Sequence, residues 1–331
     1  MVRRRALHGL RARDESRAVR VAVVDLGTNT CRLFLARVND AGDVQPDARL
    51  TTVVSLGQGV DRSGRLDPAA IARTRTCLAG YAPRLEAYGP ARRLLVATSV
   101  LRDAADGRGL LEGVEGDFAL PARVLAGEEE GVIAFRGGTA ELAGRARGPL
   151  VLTDIGGGST EFAVGTAGLR PEFVRSLDIG VVRLTERFLH HDPPATAEID
   201  RLEAFVAGAI MEGLPATVRC AARGAVGVAG TYTTLAAHKL GLREYRSELV
   251  HGHVLSLADI DAAIAEFAAL TNEQRGRLAG IQKGREDVIL AGALIAREAF
   301  RAFGLAEVRC SEADILEGAA LALAEGSLGP D

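Results

Sequence analysis

Residues 150–162 read LVLTDIGGGSTEF, an apolar run that ends in Asp154, a turn of Gly156, Gly157 and Gly158, the hydroxyls of Ser159 and Thr160, and a second carboxylate, Glu161. The pattern is that of strand, tight turn, strand. Glycines without side chains let consecutive backbone N–H groups converge on an anion, and the hydroxyls add donors. Asp154 and Glu161 would repel a bare phosphate, so a hard cation such as Mg²⁺, or Mn²⁺, belongs between them. An ordinary glycine-rich hairpin would show the same letters, and on one occurrence the two readings carry equal weight.

The grammar occurs twice. Residues 21–35, VAVVDLGTNTCRLFL, run from an apolar strand into Asp25, then Gly27, Thr28, Asn29 and Thr30, then a second strand. Two Asp-ended hairpins about 130 residues apart point to an internal duplication, with two like domains facing one another. A third turn, GVAGTYTT over residues 227–234, follows another apolar run and offers Gly230 and Thr231 to the same ligand. Backbone N–H groups and hydroxyls suit phosphate oxygens without a net positive charge.

Other groups add to this constellation. Glu128, Glu129 and Glu130 stand at an expected helix start, where acidic residues are favourable for the helix itself. Near a metal-phosphate site one of them could have a raised pKa and deprotonate water. Arg102 follows a strand end on the side of the turns and suits bidentate phosphate contact. Asp25, Asp154 and Glu161 are the candidate metal carboxylates, with Asp25 the weakest of the three. The histidines at 190, 191, 251 and 253 lack further His or Cys at zinc-ligand spacing and are expected as surface or core residues.

The elements that would hold these groups follow from periodicity. A third strand is expected over residues 50–56, and a helix over 67–89 with Asp67 as N-cap, Pro68 at its first position and Gly89 closing it. Short strands over 94–97 and 123–125 alternate with helices, the last beginning near Glu128. Residues 138–149, rich in Gly, Ala and Arg, suggest the crossover. Strands over 150–153, 161–164 and 173–176 then repeat the opening. Helices over 181–188 and 197–214 follow, and the strand 225–228 leads into the third turn. Ser256 and Asp259 resemble a capping box. A long apolar helix is expected over 284–303, a last strand over 307–310, and a final helix capped near Asp314.

The chain of 331 residues is long enough for two domains with their own cores. Aromatics make up 4% and Trp is absent, so platforms for stacked bases are scarce. The net charge of −3, with both signs spread along the chain, speaks against nucleic-acid or membrane-surface binding. No apolar run is long enough to cross a bilayer. Seven arginines in the first twenty residues, with no apolar core after them, read as a disordered basic tail over residues 1–18. Four cysteines without CxxC spacing fit a reduced, cytoplasmic protein.

At these residues the sequence resembles the exopolyphosphatase/guanosine pentaphosphate phosphohydrolase family of the actin/hexokinase-like superfamily. The segments that carry the resemblance are DLGTN (25–29), ATSVLRDA (97–104), AGEEEG (126–131), DIGGGSTE (154–161), GVAGT (227–231), VHG (250–252) and DVILAG (287–292). They span nearly the whole chain, from about residue 19 to 325. The resemblance implies an α/β fold of two ribonuclease-H-like domains with the active site in the cleft between them. The expected division is 19–138 and 149–310, with 311–331 a helix packing back on the first domain. It implies Mg²⁺-dependent removal of the terminal phosphate from inorganic polyphosphate, or from guanosine pentaphosphate as the alternative, by a protein that could form a homodimer. Glu130 matches the catalytic base, Asp154 and Glu161 the metal carboxylates, and Arg102 an arginine near the phosphate. A sugar kinase of the superfamily, or a non-catalytic binder, are the remaining alternatives.

Two departures stand out. Thr28 and Thr30 replace common serines and keep the hydroxyl. Tyr232 replaces a small residue where related kinases approach adenosine, so its ring is expected either to obstruct a nucleotide or to stack on one. Longer relatives carry a further C-terminal helical domain; a chain without it is expected to favour short polyphosphates.

Overall fold

A computed structural model describes residues 18–330. The basic tail expected over residues 1–18 lies outside these residues but for Ala18. The first half runs β1 (Val19–Leu26), β2 (Thr30–Val38), β3 (Val44–Val53), α1 (Val60–Ser63), α2 (Pro68–Tyr88), β4 (Arg92–Ala97), α3 (Ser99–Asp103), α4 (Gly107–Phe118), β5 (Ala122–Val124) and α5 (Gly127–Thr139). The second runs β6 (Leu150–Ile155), β7 (Thr160–Gly165), β8 (Phe173–Leu177), α6 (Val181–Phe188), α7 (Thr196–Gly213), α8 (Ala216–Arg219), β9 (Gly224–Val228), α9 (Ala229–Lys239), α10 (Ser247–Val250), β10 (Val254–Ser256), α11 (Leu257–Ala268), α12 (Asn272–Arg275), α13 (Ile289–Phe303), β11 (Glu307–Cys310) and α14 (Ile315–Glu325).

The strands form a five-stranded sheet, β3-β2-β1-β4-β5, and a six-stranded one, β10-β11-β9-β6-β7-β8. Each begins with an antiparallel meander and continues with parallel strands beside its first strand. The order β3-β2-β1-β4-β5 recurs as β8-β7-β6-β9-β11, which is the duplication expected from the two hairpins. This is the two-domain, ribonuclease-H-like α/β architecture.

Alternation along the central strands decides where the chemistry goes. Successive side chains of a strand point to opposite faces. In β1, Ala22, Val24 and Leu26 enter a core with α2, while Val21 and Val23 enter a core between the sheets. In β6, Val151 and Ile155 pack towards α13, while Leu150 and Leu152 face the shared core. Asp25 and Asp154 have the parity of the shared face. So do Arg32 on β2, with Phe34 and Ala36, and Glu161 on β7, with Ala163.

Two helices fill this shared core. α5 packs on β6, β7, β8 and β9 of the second sheet, although it follows the first sheet in sequence. α14 packs on β1, β2 and β4 of the first sheet, although it follows the second. The two helices touch each other where neither can carry a side chain. A Cβ on Gly137 would collide with the Asp314 carbonyl, and one on Gly318 with the Ile133 carbonyl.

Local signals explain most boundaries. Asp67 caps α2 by accepting from the Ala69 N–H at 2.8 Å and the Ala70 N–H at 3.1 Å. Ser256 and Asp259 form the expected capping box on α11, and Asp314 caps α14. Three expectations shift. The strand expected over 50–56 runs Val44–Val53, because it pairs along the whole of β2, while residues 54–57 turn away to brace the first hairpin. The helix expected from 284 starts at Ile289, and residues 282–288 form a loop instead. Residues 229–230, expected in a turn, lie in the first turn of α9, with Ala229 at φ +65° as β9 passes directly into the helix.

The helix contact yields a test. Gly318→Ala should destabilise the protein by roughly 1–3 kcal/mol, the usual cost of overpacking. Gly208→Ala on α7 meets open space and should stabilise it by about 0.4–1 kcal/mol. Urea unfolding of the two variants checks the contrast.

Candidate active site

A cleft of about 970 Å³ opens between the halves, at the carboxyl ends of β1, β4, β6 and β9. Asp25, Gly27, Thr28, Asn29, Thr30, Glu130, Asp154, Gly156, Gly157, Gly158, Ser159, Gly230 and Thr231 all line it. Residues from four stretches of sequence are thus brought to one place, while Arg102 and Glu161 are not among the lining residues.

The two hairpin turns close in the same way. The Gly27 N–H donates to the Thr30 carbonyl at 2.9 Å, and the Gly156 N–H to the Ser159 carbonyl at 3.0 Å. Their carbonyls are then tied to the scaffold. Asn29 O accepts from Val54 and Ser55, and Thr28 O from Gly57. Gly156 O and Gly157 O accept from Val181 and Val182 at the start of α6. Gly158 O accepts from Arg183 Nε at 2.9 Å. In a trans peptide the N–H points away from the preceding carbonyl. Carbonyls fastened outward leave N–H groups and hydroxyls for the cleft. The jaws also touch: Cβ atoms on Gly157 or Gly158 would strike the Thr28 side chain. The same Arg183 reaches Asp61 and Asp103 of the first half, so one side chain supports the second hairpin turn and bridges the jaws.

The hairpins differ in what faces each aspartate. Asp25 pairs with Arg32 across the strands, and Arg32 Nε donates to its Oδ2 at 2.8 Å. Asp154 pairs with Glu161 at the equivalent register. Like charges directly opposite are destabilising. Burial pushes the Asp25 carboxyl up, and Arg32 offsets part of this. Burial, then repulsion from Glu161 and Asp314, pushes Asp154 well above its usual range. Burial raises Glu161 to about 7, against the Ser176 and Ser159 hydroxyls; Ser176 Oγ donates to it at 2.7 Å.

Glu130 joins these carboxylates from the first turn of α5. Burial, then Glu161 and Asp154, raise its pKa well above the ordinary value, and Arg102 offsets part. Its helix comes close because Gly127 and Gly131 lack side chains: added Cβ atoms would strike Ser176 and Val174. Arg102 Nη1 donates to Glu130 Oε2 at 3.2 Å and to the Leu125 carbonyl at 2.6 Å. The arginine expected at the phosphate is therefore held by the Leu125 carbonyl and by the catalytic candidate. Glu129 instead pairs with Arg123 at 2.8 Å.

Tyr232 corrects an expectation. It is 1% exposed and packs in the core beneath Gly227, so its ring neither obstructs nor stacks on a ligand. In a helix that begins at Ala229, residue 232 falls on the face turned to the second sheet. The Thr231 hydroxyl lines the cleft yet lies 3.4 Å from the Ile155 carbonyl, to which it donates. The Arg285 guanidinium lies against Gly230, where a Cβ would collide with it.

Several cleft residues were missed in the sequence. Arg32, Arg49, Lys283, Arg285 and Asp314 line it. Arg32 joins Asp25 to Asp314, and Arg49 joins Asp314 to Glu317. A signal existed for Arg32 alone: a hairpin closed between residues 27 and 30 pairs 25 with 32. The others come from loops or distant strands. Of the histidines, His191 meets Glu198 at 2.8 Å and His251 meets the distant Glu141 at 2.8 Å, while His253 Nε2 is buried without a hydrogen-bond partner.

A family model for the Ppx/GppA phosphatase family matches residues 35–325. The chain belongs to this family. It is 40% identical over 318 residues to exopolyphosphatase 2 of Mycobacterium tuberculosis, covering 92% of this chain and 98% of that protein. It is also similar to the crystal structure of the Aquifex aeolicus Ppx/GppA family member, at 30% identity and a TM-score of 0.77, over 94% of this chain and 99% of that one. An exopolyphosphatase structure from Cytophaga hutchinsonii shares the fold, at 22% identity and a TM-score of 0.82, over 93% of this chain and 98% of that one.

The carboxylate pair predicts a pH dependence. A folded-state pKa of about 7 for Glu161, above its ordinary 4.5, stabilises the fold below that ordinary value, and the contribution is lost as pH rises through about 7. With EDTA present, the melting temperature should therefore fall as pH is raised from about 5 to about 8, and Glu161→Gln should flatten the curve. Differential scanning fluorimetry measures both.

Proposed function

We propose that the chain is an exopolyphosphatase, hydrolysing the terminal phosphoanhydride of inorganic polyphosphate to orthophosphate. The observation that carries this reading is the buried Glu130 carboxylate, raised in pKa, standing beside two turns that present hydrogen-bond donors. In this mechanism the turns hold the terminal phosphoryl group in line. A water oxygen attacks the phosphorus, and its proton passes to Glu130. The bond to the bridging oxygen breaks, and the shortened chain leaves with that electron pair. Arg102, bonded to Glu130 Oε2 at 3.2 Å, would orient that carboxylate.

Asp154 and Glu161 would hold a divalent cation, Mg²⁺ or Mn²⁺. The fit rests on their opposition: the first hairpin has Arg32 as its internal counter-charge, and the second has another carboxylate in that place. Among the described residues no three His, Cys, Asp or Glu side chains form a closed metal cage. Mg²⁺ is commonly bound by one or two carboxylates together with water and substrate phosphates. Such a cation supplies charge neutralisation at the phosphate oxygens. Asp25, held by Arg32, would face the same space without being a principal ligand.

We place the enzyme in the cytoplasm, in keeping with four free cysteines. Among the described residues no helix is long and apolar enough to cross a membrane. Glu130→Gln should lower kcat by about 10²–10⁴-fold, the range for a lost general base, and leave tripolyphosphate affinity within a few-fold. Phosphate release from tripolyphosphate, guanosine pentaphosphate and ATP, with and without Mg²⁺, tests the substrate. A higher kcat/KM for guanosine pentaphosphate would replace polyphosphate as the substrate.

A further inference from the structure

A second cavity, of about 640 Å³, lies behind the catalytic cleft. It exists because α5 covers the inner face of the second sheet from β8 to β9, while β11 is roofed by the linker that follows α5. Ser311 belongs to the walls of both cavities. A cavity of this size accommodates a small molecule.

Its lining is cationic. Arg145 and Arg147 come from the linker, Arg223 precedes β9, and Arg309 lies on β11. Arg145, Arg147 and Arg223 meet no carboxylate among the described residues. Arg309 Nη1 donates to the Gly252 carbonyl at 2.9 Å. Two carboxylates also line the cavity. Glu141 is engaged by His251 Nε2 at 2.8 Å, and Glu307 is exposed. Guanidiniums therefore outnumber carboxylates in a chain whose net charge is −3. Guanidinium suits phosphate through paired N–H donors.

The same lining disfavours a nucleotide. No Phe, Tyr or Trp is among the described residues around the cavity. Both nitrogens of His251 are occupied, Nε2 by Glu141 and Nδ1 by the Glu312 N–H at 3.1 Å. A base would find no Phe, Tyr or Trp ring to stack on. A bare chain of phosphoryl groups needs only the arginines.

We propose that this crevice is a second binding site for short inorganic polyphosphate, separate from the catalytic cleft. It does not depend on the assignment of Glu130. The test is calorimetric titration of the Glu130→Gln protein with tripolyphosphate at low ionic strength, beside the same protein carrying R145A, R147A and R223A. These three arginines are exposed, and an unchanged melting temperature verifies the fold. The triple variant should bind one tripolyphosphate fewer per chain. ATP should fail to displace the tripolyphosphate that the variant loses. Equal stoichiometry and affinity in the two proteins overturn the site, and displacement by ATP overturns the preference for a bare chain. Failure of the catalytic reading would show separately, as native protein that releases no phosphate.

Discussion

Two carboxylates facing each other across adjacent buried strands impose the central constraint on this molecule. Asp154 and Glu161 occupy the register at which the first hairpin places Asp25 and Arg32. A duplicated fold has thus come to hold a neutral pair in one half and a repulsive pair in the other. The repulsive pair lies in the low-dielectric space between the sheets, where an uncompensated charge is costly. Proton uptake or a bound cation can relieve it. The proposed function uses the second, and it makes the site's occupant part of its electrostatic balance.

The exchange of helices ties the two halves together. α5 leaves the first half to pack on the second sheet, and α14 leaves the second to pack on the first. Glu130 therefore reaches the second hairpin's carboxylates on a helix anchored to that sheet. Asp314, at the start of α14, reaches Arg32 of the first hairpin. Burial pushes Asp314 up, but Arg32 and Arg49 outweigh it and hold its carboxyl below the usual range. The jaws share one core, so a shift of either half moves groups belonging to the other. Arg183 adds a link at the rim, joining the Gly158 carbonyl to Asp61 and Asp103.

The cleft carries both signs of charge: Asp25, Glu130, Asp154, Glu312 and Asp314 line it together with Arg32, Arg49, Lys283 and Arg285. Lys283 and Arg285 enter from the loop before α13. Burial and repulsion from Arg32 lower the pKa of Arg285. Under the proposed function the carboxylates would hold the metal-bound terminal phosphate and the cations would balance the anionic chain.

Much of this was legible in order along the chain. The paired hairpins, the caps at Asp67 and Asp314, the duplicated topology and the turn residues all follow from local signals: apolar alternation, turn glycines and short-range hydrogen bonds. Even the Asp25–Arg32 pair is implicit in the register of a four-residue turn. What the tertiary structure alone decided depends on which surfaces meet. It sent the Tyr232 ring into the core, set Arg102 on Glu130, brought Arg285 over Gly230, and crossed α5 with α14 through Gly137 and Gly318. Such contacts join residues far apart in sequence, and no local pattern encodes their meeting. The residues by themselves pointed to two matching turns suited to an anion and, beside the second, to a cation. Their packing decided which arginine meets each carboxylate, Arg32 at Asp25 and Arg102 at Glu130, and left Asp154 facing Glu161.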